Sequence, residues 1–265
     1  MKLNKTVKYS CLSMAASLLL ISCNAGNSNA NGKEEVSDSI KVEDGFISMF
    51  DANSLSGWEG DTAIWSMANG VLTGEIKADA EPLKNNTFII WGGGETGDFE
   101  LKGQFRISKS GNSGINYRSE RFTEVPFALK GYQADIDGNN NYTGQNYEER
   151  NRTTLAYRGQ RAEVLKIEEG IPAESKGNAW TNLKVVDTVA TADELKAAVK
   201  DEDWNEIQII AEGNKLSHYI NGVLISEVID NDTVNGKAKG LLGMQVHVGP
   251  PMKVEYKDMK IKIKK

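Results

Sequence analysis

Two cysteines, Cys11 and Cys23, are all that this chain of 265 residues contains, and both lie in its first 23 positions. Everything downstream therefore lacks a disulfide partner and a thiol for metal or nucleophilic chemistry, so its stability must come from packing. Long apolar runs are also scarce. The stretch from Leu12 to Ile21 is a largely apolar run of ten residues, well short of the roughly 20 that a spanning helix needs, and no later run is longer. A basic patch is missing as well. The net charge is −6 and the basic residues are dispersed, apart from a lysine-rich C-terminal strand, which argues against a nucleic-acid partner. There is no internal repeat and no alternation of strands with long helices, which excludes solenoids and doubly wound α/β folds.

What is present begins with an export signal. Lys2, Lys5 and Lys8 precede the apolar run, which closes in Leu20-Ile21-Ser22-Cys23. That ending resembles the bacterial lipobox, in which a cysteine receives the lipid. Residues 1–22 are therefore expected to be removed and Cys23 to carry a lipid anchor, with no transmembrane helix in the mature chain. The protein would then sit in the cell envelope, on a periplasmic or cell-surface face of a membrane. Cys23→Ala is expected to give unlipidated protein that carbonate washing frees from membranes; retention after the wash would require a different anchor. Residues 23–43 are mostly Asn, Gly, Ser, Lys and Glu, a composition with little to bury, and read as a flexible tether. Residues 44–265 form the folded domain.

Its dominant period is two. Between Asp98 and Ile107, Phe99, Leu101, Phe105 and Ile107 alternate with Glu100, Lys102, Gln104 and Arg106, as in a strand with one buried face. About a dozen such strands are expected, including Val71–Ile76, Thr87–Trp91, Gly114–Arg118, Leu129–Asp137, Val223–Ile229, Leu241–Val248 and Val254–Ile263. Asn69-Gly70 and Asn221-Gly222 supply hairpin turns. Thr191 and Glu194 have capping-box spacing ahead of one short helix, which together with the polar stretch 163–190 reads as an insertion. The pattern predicts an all-β sandwich with a short inserted helix.

A sandwich buries one face of each sheet. On three strands the other face carries amides, carboxylates, a guanidinium and an imidazole: Asn116 and Arg118, then Gln133, Asp135 and Asp137, then Gln245 and His247. Such groups match vicinal sugar hydroxyls. Each also has a plainer reading, as a turn-closing aspartate, a surface ion pair or a solvated histidine. Asp137, Asn139, Asn141, Gln145 and Glu148 fall on the oxygen-ligand positions of a calcium loop, but Tyr142 stands where glycine is needed and no helices flank it. An Asn-rich connection is the default there, and no other cofactor is expected.

Four stretches resemble the 3-keto-disaccharide hydrolase family. They are Phe50-Asp51-Ala52-Asn53-Ser54-Leu55-Ser56-Gly57-Trp58, Asn112-Ser113-Gly114-Ile115-Asn116-Tyr117-Arg118, Gly131-Tyr132-Gln133-Ala134-Asp135-Ile136-Asp137, and His218-Tyr219-Ile220-Asn221-Gly222 followed by Gly243-Met244-Gln245-Val246-His247. Tyr147-Glu148-Glu149-Arg150-Asn151-Arg152 is similar to a segment of one subgroup, and Gln133 stands where many members have glutamate. The resemblance implies a concanavalin-like jelly roll and action on disaccharides or glycosides bearing a ketone at carbon 3. A base would remove the carbon-2 proton, the enolate would expel the group at carbon 1, and water would add. Asp135 is the expected base, with His247 the second candidate, and Glu148 or Glu149 would supply acid chemistry. Asn116, Arg118, Gln133, Asp137, Arg152 and Gln245 are expected to bind substrate. A lectin-like glycan-binding lipoprotein is the alternative. An ordinary glucanase would carry paired glutamates in an E-x-D-x-x-E run, which the chain lacks.

Overall fold

A computed structural model describes residues 45–168 and 173–264. The leader, Cys23 and the tether lie outside the described residues. In chain order the strands are β1 (Ile47–Ser48), β2 (Trp58–Glu59), β3 (Trp65–Ala68), β4 (Val71–Ile76), β5 (Thr87–Trp91), β6 (Phe99–Ile107) and β7 (Asn112–Arg121). Next come β8 (Leu129–Asp137), β9 (Asn146–Glu149), β10 (Thr153–Ala156), β11 (Gln160–Val164), β12 (Ser175–Lys176) and β13 (Ala179–Trp180). Then follow β14 (Leu183–Thr188), helix α1 (Ala192–Ala198), β15 (Asn205–Glu212), β16 (Lys215–Ile220), β17 (Val223–Asp230), β18 (Leu241–Val246) and β19 (Met252–Ile263). Among the described residues no helix is long and apolar enough to cross a membrane.

The strands form two sheets. One runs β14-β11-β17-β16-β15-β6-β19-β4-β3, with β1 added on β19; the other runs β12-β13-β10-β9-β8-β7-β18-β5-β2. Period-two patterning explains the pairing of the two layers. Phe99, Leu101, Phe105 and Ile107 of β6 are buried while the residues between them are partly exposed. Ile115 and Tyr117 of β7, Tyr132, Ala134 and Ile136 of β8, and Leu242, Met244 and Val246 of β18 complete the core from the second sheet. The Phe99 and Tyr117 rings meet edge-on with centroids 5.7 Å apart, and Tyr117 stacks on Tyr132 at 5.6 Å. This is the β-sandwich that the alternation predicts.

Local chemistry sets the connections. Asn221-Gly222 turns β16 into β17 with φ of 48° and 81°, the left-handed pair that a two-residue hairpin requires. Thr191 caps α1, its hydroxyl accepting from the Glu194 N–H while the Glu194 carboxylate accepts from the Thr191 N–H, the expected capping box. The polar stretch 163–190 is not an insertion between strands. It supplies β14, which pairs with β11 at one sheet edge, and the β12–β13 hairpin at an edge of the other. Among the described residues α1 is the one α-helix between the strands.

Candidate functional site

Because Tyr132, Ala134 and Ile136 face the core, Gln133, Asp135 and Asp137 face outward from the nine-stranded sheet. The register puts Asp135 of β8 opposite Gly114 of β7, and Gly114 opposite Gln245 of β18. One step along, Gln133 lies between Asn116 and Tyr147 of β9. Gly114 is what lets these side chains lie flat, since a Cβ there would come within 2.6 Å of the Gln133 side chain. Over this face opens a cleft of about 410 Å³, lined among others by Gln133, Asp135, Gln145, Tyr147, Glu149 and His247.

Asp135 is the floor of the cleft. Its Oδ1 accepts from Gln133 Nε2 at 2.7 Å and its Oδ2 from Gln145 Nε2 at 2.6 Å. Burial nevertheless pushes its carboxyl up to about 7 from an ordinary 3.8, the two amide donors pulling the other way and the charges of Glu149 and Asp137 adding to the rise. Glu149 is held in the same fashion, by Asn86 Nδ2 at 3.0 Å and Gln245 Nε2 at 3.2 Å. Tyr147, between them, has a phenol pushed up to about 12 by burial and by the neighbouring carboxylates, so it keeps its proton at neutral pH. His247 lies just beyond β18, with its Nδ1 2.6 Å from the Val248 carbonyl oxygen.

Several buried polar atoms on this face have no partner within the protein: Oε1 of Gln133, Gln145 and Gln245, Oγ1 of Thr154, and both side-chain polar atoms of Asn116. An unmet buried polar atom costs about 1–3 kcal/mol. Six such atoms lie on the face beneath the cleft, where Gln133, Gln145 and Thr154 also line it.

Other expected site residues are elsewhere. Arg118 does not reach the cleft. The β7–β8 register shifts between Tyr117 and Glu120, Arg118 takes a φ of 46°, and its guanidinium is spent on Gly97 O (2.9 Å), Gly213 O (2.7 Å) and Asp98 Oδ1 (2.8 Å). Glu148 and Arg152 are also not cleft residues. Alternation on β9 turns Glu148 inward, where Arg152 bonds it at 2.5 Å and reaches Asp230 at 2.7 Å and Asp232 at 3.2 Å. Asp137 closes a loop, its carboxylate accepting the N–H groups of Asn141, Tyr142 and Thr143. With Gln145 turned to Asp135 and Glu148 turned to Arg152, the calcium-loop positions do not present one set of oxygens to a cation. Among the described residues no group of three or more His, Asp or Glu side chains is placed to hold a metal.

His218, from the resemblance motif, is buried between the sheets. Tyr117 Oη lies 2.8 Å from its Nε2 and the Gln145 carbonyl 3.3 Å from its Nδ1, and burial pushes its pKa down to about 4. It is a neutral strut beneath Gln145.

The fold has counterparts among known proteins. Two proposed glycosyl hydrolases from Parabacteroides distasonis share the fold. One is 19% identical, with 86% of this chain and 100% of that chain covered and a TM-score of 0.54. The other is 17% identical, with 83% and 99% covered and a TM-score of 0.50. Among curated proteins none matches the chain significantly. The family model of the 3-keto-alpha-glucoside-1,2-lyase-like domain matches residues 45–262. With that match spanning both sheets and the polar cleft, the protein is carbohydrate-active and belongs to the 3-keto-disaccharide hydrolase family.

Proposed function

We propose that this protein cleaves the glycosidic bond of sugars carrying a ketone at carbon 3, by elimination followed by addition of water. The observation that carries the reading is Asp135, a carboxyl on the cleft floor gripped by two amides and pushed up to about 7 by burial. A base tuned to neutral pH is what abstraction of a ketone-acidified carbon-2 proton requires. The electron pair of the broken C–H bond passes into the enolate, then forms the carbon 1–carbon 2 double bond as the leaving oxygen departs. Tyr147 keeps its proton and is the cleft's candidate to donate it to the leaving oxygen or to hold the enolate. Glu149, which like Asp135 accepts an amide N–H on each oxygen, is the cleft's second carboxyl and a candidate for acid chemistry or for a sugar hydroxyl. Gln133 and Gln145, which line the cleft with unmet oxygens, would turn them to further hydroxyls, while Gln245 holds Glu149 from behind. His247 is kept as the second candidate base.

The test is isotopic. In heavy water, 3-keto-trehalose should release a keto-sugar carrying deuterium at carbon 2, beyond exchange without protein. Where water does not add, the product should be an unsaturated keto-sugar that has lost that hydrogen. Sugar released without label would mean direct displacement at carbon 1. Binding without release would leave a lectin-like module.

A further inference from the structure

Two tyrosine rings on the rim of the cleft have no role in the chemistry above. Tyr142 and Tyr157 are 50% and 41% exposed, although most aromatic residues of the domain are buried, and both line the cleft. Their backbones are not loose. The Tyr142 N–H donates to Asp137 Oδ1 at 2.8 Å and its carbonyl accepts from the Gln145 N–H at 2.9 Å. The Tyr157 N–H donates to Gln160 Oε1 at 3.0 Å, and the Gln160 N–H returns to the Tyr157 carbonyl at 3.1 Å. Arg158 ties the two turns together, one guanidinium nitrogen on the Asn140 carbonyl and another on the Leu195 carbonyl at 2.6 Å. A third wall is the β12–β13 turn, where Gly177 and Asn178 take φ of 57° and 63° and open space lies beside the Gly177 Cα.

Exposed rings on fixed backbones cost apolar hydration for no internal gain. Beside a polar floor they have the make-up of a sugar subsite, in which hydroxyls meet amides and the C–H face of a pyranose covers a ring. We infer that Tyr142 and Tyr157 form a subsite for the leaving-group pyranose of a disaccharide, beside the floor that holds the oxidised ring. This rests on the proposed function and adds to it a preference: the protein selects substrates with a second sugar ring over glycosides with a small leaving group.

Kinetics on two substrates test it. Wild type, Tyr142→Ala, Tyr157→Ala and the two Phe variants would be compared on 3-keto-trehalose and on methyl 3-keto-α-glucopyranoside. Each Ala change is expected to lower kcat/KM on the disaccharide about 10-fold, mainly through KM, equivalent to about 1.4 kcal/mol. Loss on the methyl glycoside should stay under about 2-fold, and the Phe variants should recover the disaccharide rate, because the ring rather than the hydroxyl makes the contact. Equal losses on both substrates, no loss on either, or Phe variants as poor as Ala would overturn the subsite. If wild type cleaved neither substrate, the proposed function would fall, and calorimetric titration with trehalose would then read the subsite. Weaker binding in the Ala variants but not the Phe variants would support it, and unchanged binding would overturn it.

Discussion

Asp135→Asn is expected to lower turnover of a 3-keto glycoside by about 10³-fold, the scale on which a positioned general base contributes. The amide keeps the shape of the carboxylate but has no lone pair basic enough to take the carbon-2 proton. The loss should fall on kcat rather than KM, because the other cleft residues, among them Tyr147, Glu149 and His247, are unchanged. In the wild type the base form exists above the Asp135 pKa of about 7. The kcat/KM of the wild type should therefore drop about tenfold per pH unit below that value, and this limb should vanish from the residual activity of the variant. Near-normal turnover by Asp135→Asn would move the base to His247.

Stability should move the other way. A carboxyl raised from 3.8 to about 7 by folding binds its proton more tightly in the native than in the unfolded chain. Its contribution is therefore most favourable at low pH and is lost as pH rises from about 4 to about 7. Above neutrality the wild type holds a desolvated carboxylate that the amide variant lacks. Asp135→Asn should thus melt at or above the wild-type temperature at pH 8, with the gap closing toward pH 4. A variant that is both inactive and unfolded at pH 8 would remove the support for a catalytic assignment.

How far the sequence discloses this arrangement varies along the chain. Strands are legible to the residue where the apolar pattern is strong: Val71–Ile76 and Leu129–Asp137 from alternation, and Thr87–Trp91 from an apolar run buried on both faces, stand as β4, β8 and β5. From them follows the outward placement of Gln133, Asp135 and Gln245. Strand β9 gives no such signal, because both its faces are polar. Asn146 and Glu148 point into a hydrogen-bonded network between the sheets, while Tyr147 and Glu149 point into the cleft. Apolar periodicity marks burial in a greasy layer, so a strand buried against polar groups on both sides reads as a loop. That is why Tyr147 and its contact with the Gln133 row escape a sequence reading, whereas 163–190 reads as an insertion because its edge strands β12 and β14 are mostly exposed and bury no face. Arg118 fails for a different cause. A register shift and a left-handed residue re-aim its side chain, and neither leaves a mark on the alternation. Asn86 lies far in sequence from Glu149, and only the folded register brings them together.

Arg152→Met is expected to destabilise the domain by about 3–5 kcal/mol, a large share of the 5–15 kcal/mol that holds an ordinary domain together. The guanidinium is buried with Glu148, Asp230 and Asp232, three acids around one base. Burial alone would lower the Arg152 pKa, but Asp230 and Glu148 more than offset this and hold it above its ordinary value. Tyr132 adds a hydrogen bond to Asp230 at 2.5 Å, and Asn235 one to Asp232 at 2.8 Å. Removing the cation leaves carboxylates facing one another out of water, where their charged forms are disfavoured. In the variant their folded pKa values would then exceed the unfolded ones, so stability should return as pH falls from 7 toward 5 and be lost as it rises. Urea midpoints of wild type and Arg152→Met at both pH values measure this. Glu148→Gln, which removes one surplus negative charge and keeps the shape, should cost far less. Glu148 is also the link to function, since it precedes Glu149 and follows Tyr147 on β9. When Arg152 lets go of Glu148, β9, which carries Tyr147 and Glu149 into the cleft, loses one tie to β17 and keeps the Asn146–Ser226 hydrogen bond. Activity in Arg152→Met should accordingly fall at urea concentrations below the unfolding midpoint, whereas in the wild type the two should fall together. A midpoint shift equivalent to less than about 1 kcal/mol would show that the buried cluster contributes no more than a surface ion pair and that β9 is held by its ladder and the Asn146–Ser226 hydrogen bond.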